Sequence, residues 1–127
     1  MSWSVLVVDD EPMTRSLLRM ILSYAGHKIY EAEDGFDALD KIEQHAPDLV
    51  ILDVMMPNMD GIDVCKAVRQ NEVTAALPVI MLSANSHPDS VQASMTAGAN
   101  RYLTKPISRK DLLTQINEVM GETAVVE

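Results

Sequence analysis

The chain has 127 residues, the length of one ordinary domain, and its hydrophobic fraction of 47% and charged fraction of 23% are those of a soluble globular protein. Its net charge of −9 opposes binding of this chain to nucleic acid or to an anionic membrane. The sequence has no basic leader and no apolar run near the roughly 20 residues of a membrane helix, so we expect a cytoplasmic domain with no membrane segment.

Strand and helix signals alternate along the first 50 residues. A β-branched run from Trp3 to Val8 predicts the first strand, and Asp9-Asp10-Glu11 follows its end. The first helix begins at Pro12 and stops at Gly26, with apolar residues at helical spacing: Leu17, Leu18, Ile21 and Leu22. A short strand is predicted from Lys28 to Ala32. Asp34-Gly35 then opens a second helix that carries four apolar residues inward: Phe36, Ala38, Leu39 and Ile42.

The third strand is the stretch around which the sequence is organised. Leu49 to Leu52 is a short, wholly apolar run bounded by turn formers, which is typical of a strand buried on both faces. Asp53 stands where this strand ends. In an open parallel sheet, ligands bind beyond the carboxyl ends of the strands, so this carboxylate is placed for chemistry. We interpret Asp60 as a helix cap, because Asp60-Gly61 can open the next helix.

The second half of the chain repeats the alternation. A third helix is predicted from Gly61 to about Asn71, and a fourth strand ends at Ser83-Ala84-Asn85. A fourth helix starts at His87-Pro88 and ends at Gly98, and a fifth strand from Asn100 to Leu103 leads to Thr104-Lys105-Pro106. The last helix ends at Gly121, before a tail of residues 122–127, and has one apolar face: Leu112, Leu113, Ile116, Val119 and Met120.

This order of elements predicts an α/β fold. Five strands alternating with five helices form a parallel sheet with right-handed crossovers and helices on both faces. The carboxyl ends of the strands then share one edge of the sheet. We therefore expect five polar residues to gather in one pocket: Asp9, Asp10, Asp53, Ser83 and Lys105.

Such a pocket suits phosphoryl chemistry. Three neighbouring carboxylates repel one another unless their pKa values rise or a cation joins them, and Mg²⁺ prefers oxygen ligands of this kind. With that charge neutralised, Asp53 can act as a nucleophile toward a phosphoryl group. Lys105 can meet the charge on the phosphoryl oxygens, and the hydroxyl of Ser83 can donate to another.

Four motifs carry a resemblance to a known family. They are Asp9-Asp10 after strand one, Asp53 followed by Met56-Pro57 and Asp60-Gly61, Ser83-Ala84, and Lys105-Pro106. In order and spacing they resemble the receiver domain of two-component response regulators, in a single-domain form like the chemotaxis regulators. The resemblance runs from Val5 to Met120, so residues 1–121 are expected to form the receiver domain. It implies a flavodoxin-like sheet with strand order 2-1-3-4-5.

The resemblance also implies roles for the pocket residues. Asp53 would accept a phosphoryl group from a phosphohistidine on a sensor histidine kinase or a histidine phosphotransfer protein. Asp10, Asp53 and the backbone carbonyl of Met55 would bind Mg²⁺ directly, and Asp9 would act mostly through water. Ser83, Ala84 and Lys105 would bind the phosphoryl group. Met55 and Asn85 would tune its lifetime. Catalysis would be confined to the protein's own phosphorylation and dephosphorylation.

The implied output is a switch of protein contacts. In such domains the residues at Ser83 and Tyr102 move together on phosphorylation and change the face formed by the fourth helix, the fifth strand and the fifth helix. A downstream protein would bind there, and a phosphorylation-dependent dimer is a further option. Tyr102 can equally be an ordinary half-buried aromatic of the sheet. The negative charge of the phosphoryl group, about −2, supplies the free energy for the shift.

Three alternatives remain at this point. The chain can be a stand-alone regulator or the receiver part of a longer one. A phosphatase of the haloacid dehalogenase type also uses an aspartate nucleophile with Mg²⁺, but Asp9-Asp10-Glu11-Pro12 breaks its Asp-x-Asp arrangement. A flavin binder of the flavodoxin type would need a Ser/Thr/Gly-rich phosphate loop after the first strand, and the sequence has none there.

The remaining residues have plainer interpretations, with one exception. Cys65 is expected to be a packed core thiol, and the three histidines are expected at the surface. Four of the ten basic residues fall in one ten-residue stretch: Arg101, Lys105, Arg109 and Lys110. We hypothesise that, apart from Lys105, they mark an edge that meets an acidic partner, although a solvated face explains them as well.

Overall fold

Five strands and five helices alternate along the chain in a computed structural model that describes the backbone of residues 2–124 and the side chains of residues 2–121. The strands are β1 (Ser4–Val8), β2 (Lys28–Ala32), β3 (Leu49–Leu52), β4 (Val79–Ser83) and β5 (Arg101–Thr104). The helices are α1 (Pro12–Tyr24), α2 (Gly35–His45), α3 (Gly61–Gln70), α4 (Pro88–Ala97) and α5 (Arg109–Ala124). The predicted alternation is confirmed.

The strands form one parallel sheet in the order β2-β1-β3-β4-β5, which confirms the expected topology. The register aligns their carboxyl ends, because Val8 of β1 lies opposite Leu52 of β3, and Leu52 lies opposite Met81 of β4. Ser83 of β4 lies opposite Thr104 of β5. The residues that follow β1, β3 and β5 therefore leave the sheet at the same edge.

Two apolar cores hold the helices against the two faces of the sheet. Successive residues of β1 point to opposite faces: Val5 and Val7 join the core under α1 and α5, whereas Leu6 and Val8 join the core under α2 and α3. Burial of each such side chain stabilises the fold by about 1.5–3 kcal/mol relative to exposure. Because the central strands are buried on both faces, their apolar runs are continuous. A polar residue that follows such a run therefore marks the end of the strand.

Three local predictions are wrong. The last helix does not end at Gly121 but continues to Ala124, because Gly121 lacks the left-handed φ that Gly26 and Gly98 adopt at the ends of their helices. Residues 125–127 of the predicted tail lie outside the described residues. Phe36 is 57% exposed in the first turn of α2, where Ala38 and Ile42 take the inner face instead.

The third wrong prediction concerns His27, which is buried and not at the surface. Its ring stacks on Trp3, and its Nδ1 accepts a hydrogen bond from the Trp3 backbone N–H at 3.2 Å. Burial lowers the pKa of His27, which suits the neutral ring that this hydrogen bond requires. None of the helices in the described part of the chain is long and apolar enough to cross a membrane.

Candidate functional site

Three carboxylates meet at the carboxyl edge of the sheet, as predicted. Asp9 and Asp10 follow β1 and Asp53 follows β3, and each offers an oxygen within 4.8 Å of the others. The backbone joins the two strand ends, because the N–H of Asp53 donates to the carbonyl of Val8 at 2.9 Å. Asp9 and Asp53 are buried, whereas Asp10 is exposed. The cluster therefore has a solvent-facing side.

Lys105 supplies the positive charge of the site. Its Nζ donates to Oδ2 of Asp9 at 2.7 Å and lies 3.6 Å from Oδ2 of Asp53. Lys105 reaches both carboxylates because it follows β5 directly, and its backbone N–H donates to the carbonyl of Ser83 at 2.8 Å. The peptide bond between Lys105 and Pro106 is cis. The sequence predicted the position of Lys105 but not that Asp9 is its nearer partner.

Asp9 is held in place from several sides. Its Oδ1 accepts the backbone N–H of Glu11 at 2.9 Å. Arg15 of α1 donates to the backbone carbonyl of Asp9 at 2.7 Å, and the same guanidinium pairs with Glu31 of β2 at 3.1 Å. Because Lys105 donates to Oδ2 as well, both carboxylate oxygens of Asp9 accept a hydrogen bond from an N–H group. The supporting role of Arg15 was not predictable from the sequence pattern, because its partner Glu31 lies on a different element, the strand β2.

The site shifts the pKa values of two groups. Burial raises the pKa of Asp53, and the neighbouring Asp9 and Asp10 raise it further, against the opposing effects of Lys105 and the Met55 N–H. Burial lowers the pKa of Lys105, but the hydrogen bond to Asp9 and the charge of Asp53 outweigh it, so the net shift is upward. A cation near Asp53 would favour its ionised form.

The loop after β3 is packed tightly against Asp53. The backbone N–H of Met55 donates to Oδ1 of Asp53 at 3.3 Å. Gly61 lies against the backbone of Asp53 so closely that a Cβ atom there would sit 2.2 Å from the Asp53 carbonyl oxygen. Asp60 caps α3 by accepting the N–H of Asp63 at 2.9 Å, as predicted. The sequence predicted Gly61 only as the start of a helix, and its close contact with the backbone of Asp53 was not predicted.

A chain of hydrogen bonds links Ser83 to Tyr102 through Asn85. The backbone N–H of Asn85 donates to Oγ of Ser83 at 3.2 Å. The hydroxyl of Tyr102 donates to the backbone carbonyl of Asn85 and also lies 3.1 Å from Oγ of Ser90 in α4. Ser83 is fully buried, Ala84 beside it is exposed, and Tyr102 is half-buried. Asn85 thus joins β4 to β5 and α4.

The structure gathers the predicted acidic residues and Lys105, with Ser83 at the end of the strand that lies between β3 and β5. Their assigned functions, together with those of Met55, Ala84 and Tyr102, stay predictions. Carboxylate and carbonyl oxygens are the ligands that Mg²⁺ prefers, so the donor set fits this ion. A buried carboxylate beside a lysine and such a cation site is an arrangement suited to phosphoryl transfer.

Comparison with known sequences gives one consistent family. The model of the response regulator receiver domain matches residues 5–117. The chain is 39% identical over 120 residues to response regulator MprA of Mycobacterium sp. (strain KMS), a match that covers 94% of this chain and 51% of MprA. It is 36% identical over 125 residues to the alkaline phosphatase synthesis transcriptional regulatory protein PhoP of Bacillus subtilis (strain 168), covering 98% and 51%. The chain thus spans about half the length of these relatives.

Solved structures agree with the sequence matches. Chemotaxis protein CheY4 of Vibrio cholerae superposes with a TM-score of 0.88 at 34% identity, covering 94% of this chain and 99% of that one. The receiver domain of a signal transduction histidine kinase from Syntrophus aciditrophicus gives a TM-score of 0.90 at 30% identity, covering 98% and 95%. These neighbours share the fold over nearly the whole chain.

Proposed function

This chain belongs to the family of response regulator receiver domains, and we propose that Asp53 is the residue in it that accepts a phosphoryl group. The observation that carries the proposal is the position of the Lys105 Nζ, 3.6 Å from Oδ2 of Asp53 inside a cluster of carboxylates. A cation held there can neutralise charge on a phosphoryl group bonded to Asp53. The exposed side of the cluster leaves access for a donor.

The donor in this proposal is a phosphohistidine of a sensor histidine kinase or a histidine phosphotransfer protein in the cytoplasm. A carboxylate oxygen of Asp53 forms a bond to phosphorus while the bond from phosphorus to the imidazole nitrogen breaks. The electron pair of that bond returns to the imidazole. Lys105 stays in hydrogen-bonding range of the new phosphoryl oxygens, and the hydroxyl of Ser83 and the backbone at Ala84 provide further donors.

Mg²⁺ bound at the cluster would offset the repulsion between the carboxylates and the incoming phosphoryl oxygens. We propose Asp10, Asp53 and the carbonyl of Met55 as its protein ligands, with Asp9 acting through water. The hydrogen bonds of Asp9 support this division, because both of its carboxylate oxygens already accept N–H groups, from Glu11 and Lys105. Asp10 is exposed and can turn toward an ion.

We propose that phosphorylation acts on the rest of the fold through Asn85. A phosphoryl group on Asp53 gives the Ser83 hydroxyl a new acceptor, and movement of Ser83 disturbs its bond with the Asn85 N–H. The carbonyl of the same residue accepts from Tyr102, so the disturbance reaches β5 and α4. The output is a changed face of α4, β5 and α5 that binds a downstream protein or a second phosphorylated copy. This output is the same for a stand-alone regulator and for the receiver of a longer one.

The test is intact-mass analysis after incubation with acetyl phosphate, with and without Mg²⁺. We expect the protein to gain the mass of one phosphoryl group only when Mg²⁺ is present. No gain despite measured Mg²⁺ binding would contradict the proposal. The rival phosphatase function predicts turnover of p-nitrophenyl phosphate instead, and we expect none above the rate without protein.

A surface near the site is suited to the phosphohistidine partner. Helix α1 begins directly after the acidic loop and exposes an apolar stripe with helical spacing: Met13, Leu17, Met20 and Tyr24. The guanidinium of Arg109 lies 5.2 Å from the ring centroid of Tyr24. The basic edge, which we define as Arg101, Arg109 and Lys110, therefore borders the apolar stripe at Arg109. An apolar surface edged by positive charge suits a helix that has acidic residues beside its own apolar face.

Reversing the two exposed charges at the start of α5, Arg109→Glu with Lys110→Glu, should slow phosphotransfer from a histidine kinase about tenfold at low salt, because like charges then oppose the encounter. The rate with acetyl phosphate should not change. The exposed Lys66→Glu on α3 controls for added negative charge and should change the kinase rate less than twofold. Equal kinase rates for the double variant and the native protein would refute the basic-edge hypothesis.

A further inference from the structure

A groove between α2 and α3 lies at the opposite end of the sheet from Asp53. It has a volume of about 660 Å³, within the roughly 300–1,000 Å³ of sites for small organic ligands. Its walls come from the last turns of both helices and from Pro47 and Pro78, which precede β3 and β4. Because the amino ends of the strands lie here, the groove is separate from the phosphoryl-acceptor site.

The floor of this α2–α3 groove is apolar. Ile42 of α2 and Val68 of α3 are buried beneath it, while Leu39 and Leu77 are half-buried on its walls. Val73 stands at the rim and is 92% exposed, so it is free to contact a ligand in the groove. An apolar ligand body in the groove would remove these surfaces from water, which favours binding.

The polar groups of the α2–α3 groove are acidic on the side of α2. Asp40 and Glu43 are exposed along it, and among the described residues neither pairs with a lysine or arginine. Asp48 adds a third carboxylate, whose Oδ2 accepts hydrogen bonds from the N–H of Ser4 at 2.9 Å and its hydroxyl at 3.2 Å. No basic side chain lines the groove in the described part of the chain.

We propose that the α2–α3 groove binds a small organic cation with an apolar body, such as an alkylated guanidinium or ammonium. The apolar body lies over Ile42 and Val68, and the cationic head lies against the carboxylates of Asp40 and Glu43. A neutral ligand of the same shape loses the charge interaction, and an anionic one is repelled. This site is independent of the proposed phosphoryl transfer.

The test is a titration of ¹⁵N-labelled protein with octylguanidinium, followed through backbone amide shifts. We expect saturable shifts confined to residues 39–48 and 67–78, weaker binding of octanol, and no binding of octanoate. The isosteric double variant Asp40→Asn with Glu43→Gln should weaken octylguanidinium binding roughly three- to tenfold and leave octanol unaffected. Asp89→Asn with Glu118→Gln removes two exposed carboxylates from α4 and α5 and should leave both affinities unchanged.

Two results would overturn the proposal. One is a set of shifts scattered over the surface or centred outside the α2–α3 groove. The other is equal binding of octylguanidinium to the native protein and to the Asp40/Glu43 double variant. The Asp53→Asn variant should bind octylguanidinium as tightly as the native protein, because the groove lies at the other end of the sheet. Failure of phosphorylation and failure of ligand binding are therefore separate outcomes.

Discussion

Replacing Asp53 with asparagine is expected to abolish the gain of a phosphoryl group from acetyl phosphate. The amide of asparagine is nearly isosteric with the carboxylate and can still accept the Met55 N–H, but it lacks the anionic oxygen that attacks phosphorus. Intact-mass analysis with Mg²⁺ should show only the unmodified mass under conditions that modify the native protein. Asp63→Asn, at an exposed position in the first turn of α3, should be modified as fully as the native protein.

The stability of Asp53→Asn provides a separate check that the variant is folded. The pKa of Asp53 in the folded protein is raised above its ordinary value of 3.8, so the folded state holds this proton more tightly than the unfolded state. Ionised Asp53 therefore destabilises the metal-free fold above its folded pKa, and the penalty disappears below about pH 3.8, where both states are protonated.

With a chelator present to keep the protein metal-free, we therefore expect Asp53→Asn to unfold at a higher temperature than the native protein at pH 7. The difference should shrink as the pH falls toward 3.8. If Asp53→Asn shows this higher unfolding temperature and still gains a phosphoryl group, another residue is the acceptor. A variant that is less stable than the native protein at pH 7 would show that Lys105 and the Met55 N–H outweigh the burial of Asp53.

The residues that form the acidic site were predictable from the sequence. In a parallel sheet whose strands alternate with helices, the carboxyl ends of all strands lie at the same edge, so polar residues that follow the strands come together there. Asp9, Asp53 and Lys105 each follow a strand directly, and each lies in the site. The strand order itself came from family resemblance, since alternation alone allows several orders. The order matters here, because it sets β1 beside β3 and leaves β4 between β3 and β5.

Contacts between distant side chains could not be predicted in the same way. Lys105 sits nearer to Asp9 than to Asp53, and Arg15 supports the Asp9 loop from α1. Such choices depend on side-chain geometry within a few ångströms, which no periodicity encodes. The same holds for His27, whose burial results from stacking on Trp3 at the amino end of the sheet. The hydrophobic pattern was enough to predict the positions of the strands and helices, whereas side-chain packing in the folded protein determines which residues contact one another.

Gly61→Ala should destabilise the protein by about 3 kcal/mol and lower its melting temperature by roughly 10 °C. The added Cβ would lie 2.2 Å from the carbonyl oxygen of Asp53 and 3.0 Å from the Cα of Val54, and both are backbone atoms that no rotamer change can move. The backbone of β3 or the start of α3 must shift. Because that shift displaces Asp53, we also expect slower phosphorylation by acetyl phosphate in the folded fraction.

Gly121→Ala is the matched control, because it adds the same methyl group inside α5. Apart from the adjoining residues and the backbone of the helix itself, no atom of the described residues lies within 4 Å of that position. Alanine has the higher helix propensity, so this variant should be more stable than the native protein by up to about 1 kcal/mol. Thermal unfolding of the three proteins at one pH separates the effects. If Gly61→Ala has native stability, the loop after β3 can rearrange around the added Cβ at little cost in free energy. The predicted loss of stability would instead show that Asp53 keeps its position because residue 61 has no side chain.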